Sequence, residues 1–128
     1  MKLTKGLIKA DMIAAKQAIE YFEESNNRNI KNIAAYHLQQ AAEKLVKIQV
    51  YDSGVKYDNK SMYKHDIKAL ILYAESLSIP FVVPEYIKKN SDIISDWEAG
   101  SRYDVAFSIR IDTLKKMQDV LNEWYEQV

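Results

Sequence analysis

Residues 29–51 read NIKNIAAYHLQQAAEKLVKIQVY, and the fold turns on how that stretch is read. On a helical wheel Ile30, Ile33, Ala34, Leu38, Ala41, Leu45 and Ile48 fall on one arc, the i, i+3, i+4 recurrence of a helix buried along one side. Tyr36, Gln40, Glu43 and Lys47 run up a neighbouring stripe at steps of four, three and four, so their side chains line up on the helix surface. His37 and Lys44 border the apolar arc. A line of phenol, amide, carboxylate and ammonium either holds a polar ligand or is a solvated face with a Glu43–Lys47 pair in the favoured i, i+4 orientation. The pattern alone leaves both readings open.

Outward from this helix the chain stays helical. Residues 5–24 place Ile8, Met12, Ala15, Ile19 and Phe22 on one face. A break at Glu23-Glu24-Ser25-Asn26-Asn27 offers Asn26 or Asn27 as cap of the second helix. The short connection predicts antiparallel neighbours. Residues 52–61, polar and marked by Gly54, read as a loop. Asp66 is placed to cap a short third helix carrying Ile67, Leu70, Ile71 and Ala74, with His65 at a helix mouth where free N–H groups favour anions. Residues 77–83 read as a linker because Pro80 interrupts them. Pro84 suits the first position of a fourth helix, whose apolar side holds Tyr86, Ile87, Ile93, Ile94 and Trp97, and Gly100 suits its end. From about Phe107 the residues Ile111, Leu114, Met117, Leu121 and Trp124 form another buried stripe. The expectation is an all-α protein, an up-and-down bundle of four to five helices, with residues 1–128 as a single domain.

Composition narrows the function. Eighteen basic and eighteen acidic residues cancel, so no overall field draws in nucleic acid or acidic lipid, and any anion site must be local. The absence of cysteine rules out thiolate chemistry and suits a reducing compartment, the cytoplasm. No run of roughly 18–20 apolar residues reads as a membrane span or a leader. GxxxxGK[ST], GxGxxG and GxSxG are all missing. The two histidines, His37 and His65, have Ala34 and Met62 three residues before them, not the glutamates of a di-iron bundle, and they lack HExxH spacing. No metal and no cofactor is expected. Tyr36, Tyr57, Tyr63 and Tyr103 stand near basic residues, where aromatic rings either stack single-stranded bases or pack half-buried.

AAYHLQQAAEKLVKIQVY, then KHDIKAL, then SRYDVAF, in this order and spacing, resembles the HEPN family, the higher eukaryote and prokaryote nucleotide-binding domain. The family's A-x-Q-A-x-E-K-x-x-K-A-like core corresponds to Gln39 through Lys47, its T-H-D-L-x-x-L-like segment to His65 through Leu70, and its R-Y-P-like segment to Arg102 and Tyr103. The resemblance implies a helical bundle, frequently a homodimer, that binds nucleotide or RNA. It also implies a small nucleotidyltransferase as partner in a toxin–antitoxin or defence-type pair. Carried over by position, the ligand-binding candidates are Glu43, Lys44, Lys47, His65, Asp66, Arg102 and Tyr103. Lys44, Lys47 and Arg102 would neutralise phosphate, His65 would donate to it, and Glu43 with Asp66 would hold the cations in place. The competing role for Glu43, His65 and Arg102 is architectural, tying the second helix to two loops.

Two departures matter. Asp104 fills the proline-like position of the third motif. The family's ribonucleases carry Arg, four to six residues, then His, yet neither Arg102 nor Arg110 is followed by histidine in that window, and Arg28 precedes His37 by nine. The resemblance therefore implies a binding module without that ribonuclease chemistry. The alternatives are a ribonuclease with a non-standard site around His37 or His65, and a bundle serving only protein interaction.

Overall fold

The computed structural model describes residues 2–103 and 109–128, with side chains up to residue 100 and again from residue 109. Among these residues the chain forms seven helices and no strand: α1 Lys5–Ser25, α2 Arg28–Asp52, α3 Asn59–Met62, α4 Ile67–Ser76, α5 Glu85–Lys89, α6 Ser91–Tyr103 and α7 Ile111–Gln127. The all-α expectation holds. The extra helices come from two places. Residues 59–61, read as loop, close one turn with Met62 because Asp58 caps it at the Lys60 amide and Met62 is buried beneath it. The fourth helix divides at Asn90, the residue that closes α5, whose backbone N–H and side-chain amide both donate to the Tyr86 carbonyl.

Local chemistry sets the boundaries. Thr4 starts α1 by accepting from the Leu7 amide at 3.3 Å. Asn26 ends it in the left-handed region at φ 55°, a conformation asparagine tolerates. Asn27 then caps α2 by accepting from the Asn29 amide at 3.0 Å. Two residues thus divide the work of stopping one helix and starting the next. Pro84 precedes α5 as its cap residue rather than opening it. Gly100 lies inside α6 and does not end it. The last helix starts at Ile111; Phe107 lies outside the described residues.

α2 is the central pillar, in contact with α1, α4, α6 and α7. One buried side was expected, but α2 is buried on more than one. Ala35, Ala42 and Val46 are covered along with Ala34, Leu38, Ala41 and Leu45. The alanines let neighbouring helices approach closely. Ile33 departs from the expected arc and is half exposed, and Ile93 of α6 also faces outward. α1 runs antiparallel to α2: Phe22 meets Lys31 near one end, while Asp11 meets His37 and Lys44 further along. It runs antiparallel to α7 as well, with Lys5 at Tyr125 and Glu23 at Lys115. Ile8, Met12, Ala15 and Ile19 of α1 and Leu114, Met117, Leu121 and Trp124 of α7 fill the core as their periodicity requires.

The linker between α4 and α5 is fastened to the pillar through one side chain. Gln49 donates to the Val82 carbonyl at 2.9 Å and accepts from the Val82 amide at 2.8 Å. Trp124, fully buried, donates its indole N–H to the same carbonyl at 2.8 Å. An irregular segment thereby has its backbone groups satisfied against a helix. Among the described residues no helix is long and apolar enough to cross a membrane.

Candidate functional site

The polar groups of α2 resolve into two clusters on different sides of the helix. The first is centred on Glu43, which is 4 % exposed. Its Oε1 lies 2.8 Å from Nδ1 of His65, and its Oε2 accepts from the Lys47 ammonium at 3.1 Å. Gln39, fully buried one turn earlier, donates to Glu43 at 3.4 Å and to the His65 carbonyl at 3.2 Å, and its own carbonyl accepts from Gln40 at 2.7 Å. A carboxylate only accepts, so it selects the Nδ1–H tautomer of His65. The imidazole side chain nevertheless remains 60 % exposed, and its Nε2 has no partner among the described residues. A buried carboxylate, satisfied on both oxygens, thus holds an accessible ring in a fixed orientation.

The start of α4 shapes the surroundings of that ring. Asp66 accepts from the Ala69 amide at 3.1 Å, and the Ile67 amide donates to Ser95 of α6 at 2.8 Å. Two of the free N–H groups expected to favour an anion at this helix mouth are therefore already bonded. Asp66 acts as the cap, and among the described residues it forms no ion pair.

The second cluster joins α1 to α2. Asp11, 9 % exposed, meets Nδ1 of His37 at 2.9 Å through one oxygen and the Lys44 ammonium through the other. Burial pushes the Asp11 carboxyl up, but the hydrogen bonds from His37 and Lys44 outweigh it and hold the group below the ordinary aspartate value. Tyr36 packs edge-on to His37 with ring centroids 5.3 Å apart. Lys44 is thus committed to α1 and stands apart from Lys47 and His65, contrary to the single cation group expected from the sequence. Among the described residues no three His, Asp or Glu side chains come close enough to hold a metal ion.

The family model of the HEPN domain matches residues 12–126. The chain belongs to the HEPN family. No curated protein and no solved structure was found to match it. In this HEPN chain the first two motif segments meet directly, since Gln39, Glu43 and Lys47 of the α2 core close on His65. The third segment reaches the last turn of α6 with Arg102 and Tyr103, whose side chains lie outside the described residues, as does Asp104.

Sequence reasoning missed two residues that complete the HEPN clusters. Gln39 was grouped with the motif but given no task, although a glutamine one turn before a glutamate on a buried face can satisfy that glutamate. Asp11 is not among the candidates that the sequence singles out on α1. Its only local signal is an acidic residue directly before Met12 on the apolar face, and its partners stand 26 and 33 positions away.

Proposed function

We propose that this HEPN chain is a nucleotide- or RNA-binding module in which His65, oriented by Glu43 and flanked by Lys47, contacts the ligand. The observation that carries the reading is the contrast between the buried Glu43 carboxylate and the exposed His65 ring it holds. A purely architectural histidine gains nothing from keeping Nε2 accessible, whereas a phosphate-contacting one requires it. Family membership supports the ligand class, nucleotide or RNA. Arg102, in the third motif, is assigned to the same ligand as a phosphate-neutralising group.

The module works without ribonuclease activity of its own, in keeping with the missing Arg-to-His spacing. Its setting is the cytoplasm, as a homodimer beside a small nucleotidyltransferase in a toxin–antitoxin or defence-type pair. Exposed Ile13, on the rim of the cleft between α1 and α7, offers apolar surface for the second copy. Size-exclusion chromatography with light scattering tests the dimer, and co-purification with the nucleotidyltransferase tests the pair.

The test of binding is a thermal-shift titration against a panel of nucleotides and a short single-stranded RNA, with His65→Ala and Arg102→Ala as controls. A ligand that binds only the folded state, at a hundred times its dissociation constant, adds about 2.7 kcal/mol. A saturable upward shift lost in His65→Ala supports the module. No shift with any ligand, together with early melting of both variants, leaves the cluster as architecture.

One observation favours a second reading. A carboxylate on Nδ1 with an open Nε2 is also the arrangement of a general base. Cleavage of a structured RNA by the purified chain, abolished by His65→Ala, would replace the binding module with a ribonuclease of non-standard site.

A further inference from the structure

The end of α2 and the connection to α4 gather aromatic residues that lie beyond the Gln39–Lys47 motif core and before His65. Tyr51 at the end of α2, Tyr57 in the connection and Tyr63 just after α3 line one cavity of about 330 Å³ with Lys2, Leu3, Asp52, Asn59 and Met62, so its wall carries one ammonium and one carboxylate beside the rings. That volume lies at the small end of ligand pockets, roughly 300–1,000 Å³, and suits one planar ring system. Tyr51 and Tyr57 meet edge to face at 5.2 Å and 64°. Tyr57 is 37 % exposed and Tyr63 80 % exposed.

The cleft is built on an ordered turn. Asp58 accepts from the Lys60 amide and from the Ser61 hydroxyl, and its own amide donates to the Tyr73 hydroxyl at 2.6 Å. Met62 is buried at 2 % and anchors α3, so the next residue, Tyr63, is carried outward on a fixed backbone. Three lysines punctuate the same segment. Lys56, Lys60 and Lys64 are exposed, and none has a carboxylate partner among the described residues. Asp58, the nearest acidic residue to Lys60 in sequence, is occupied in capping.

The cleft also stands in line with the Glu43 cluster. Glu43, Lys47 and Tyr51 follow one another at steps of four on one face of α2, so Tyr51 lies about 12 Å along the axis from Glu43. Burial, then the neighbouring Tyr57 and Tyr63 and the Glu43 charge, hold the Tyr51 hydroxyl above the ordinary tyrosine range, which keeps it a neutral donor.

We propose that the Tyr51–Tyr57–Tyr63 cleft seats an unpaired nucleobase, with the exposed lysines of the same connection, Lys56, Lys60 and Lys64, neutralising the phosphates that flank it. The inference rests on the nucleotide- or RNA-binding reading and adds to it the place where the base is held. Aromatic faces stack any base, and lysines track the backbone without reading sequence. The site is therefore tolerant of sequence and sensitive to salt, even though the chain as a whole carries no net charge.

The experiment is a fluorescence-anisotropy titration of the full chain with end-labelled hexauridylate and hexaadenylate, with unlabelled UMP and AMP as competitors. Tyr63→Ala is expected to weaken binding roughly 5- to 150-fold with no change in melting temperature, and Tyr63→Phe to restore it. Lys60→Gln is expected to flatten the log–log salt dependence by about 0.7. Displacement by a mononucleotide at similar affinity, lost in Tyr63→Ala, assigns the cleft to a free nucleotide; displacement by oligonucleotide alone assigns it to a strand. Wild-type affinity in both Tyr63→Ala and Tyr57→Ala, with loss in His65→Ala, overturns the cleft and leaves the binding module standing. Absence of binding to every RNA and nucleotide by the wild-type chain overturns both.

Discussion

Glu43 and His65, 22 positions apart, meet at 2.8 Å, with the carboxylate inside the bundle and most of the imidazole outside it. Removing each partner should therefore have a different effect. Glu43→Ala strands the Lys47 ammonium, 13 % exposed, and is expected to cost about 3 kcal/mol, seen as a melting temperature lower by roughly 10 °C. His65→Ala, at an exposed ring, is expected to cost less than about 1 kcal/mol while removing the ligand response. Equal losses of stability from the two variants would contradict the division of labour.

Asp11 predicts an acid-sensitive α1–α2 contact. Its folded-state carboxyl lies below the ordinary value, so its stabilisation is complete above the unfolded aspartate pKa, about 3.9, and is lost as pH falls through the lower folded value. The melting-temperature gap between wild type and Asp11→Asn should be wide near neutral pH and close as the pH is taken down past about 4. A gap that persists unchanged in acid would mean that the charge on Asp11 is not its source.

Gln49 is the fastener of the α4–α5 linker. Gln49→Ala removes both side-chain bonds to Val82, and about 1–2 kcal/mol is expected to go with them. Amide exchange at Val82 should quicken well before the core amides of α2 respond, which hydrogen-exchange mass spectrometry or NMR can resolve.

Trp124 combines core volume with a bond to the same linker. Trp124→Ala is expected to cost about 3–5 kcal/mol. Trp124→Phe should cost about 1–2 kcal/mol, because the Val82 carbonyl still accepts from Gln49. Denaturant unfolding of the two variants separates volume from hydrogen bond.

The periodic helices were legible in the sequence because each needs only one covered face. Ile8, Met12, Ala15 and Ile19 are buried as their spacing demands, as are Leu114, Met117, Leu121 and Trp124. α2 exceeded that reading because a wheel drawn for one buried face cannot anticipate a helix surrounded by four others. Ala35, Ala42 and Gln39 looked neutral or polar and proved to be interior. The meeting of Glu43 with His65 was anticipated as one of two roles for the motif residues. The assignment of Lys44 to Asp11 was not, since adjacent residues on a helix point about 100° apart and only the position of α1 decides which neighbour takes the charge. α3 was hidden for another reason: its turn is closed by Asp58 and by burial of Met62, neither of which leaves a periodic trace in four residues.

The alanine-lined seam between α1 and α2 would by itself be smooth enough to slide. Asp11 prevents that, because its two oxygens are taken by His37 and Lys44, two turns apart on α2. A slip of one helical turn, 5.4 Å, would carry the carboxylate towards one partner and away from the other, leaving a buried charge half-compensated. The pair of helices consequently closes in one register, and the place of the Glu43 carboxylate that receives His65 is set relative to α1 as soon as that hairpin forms.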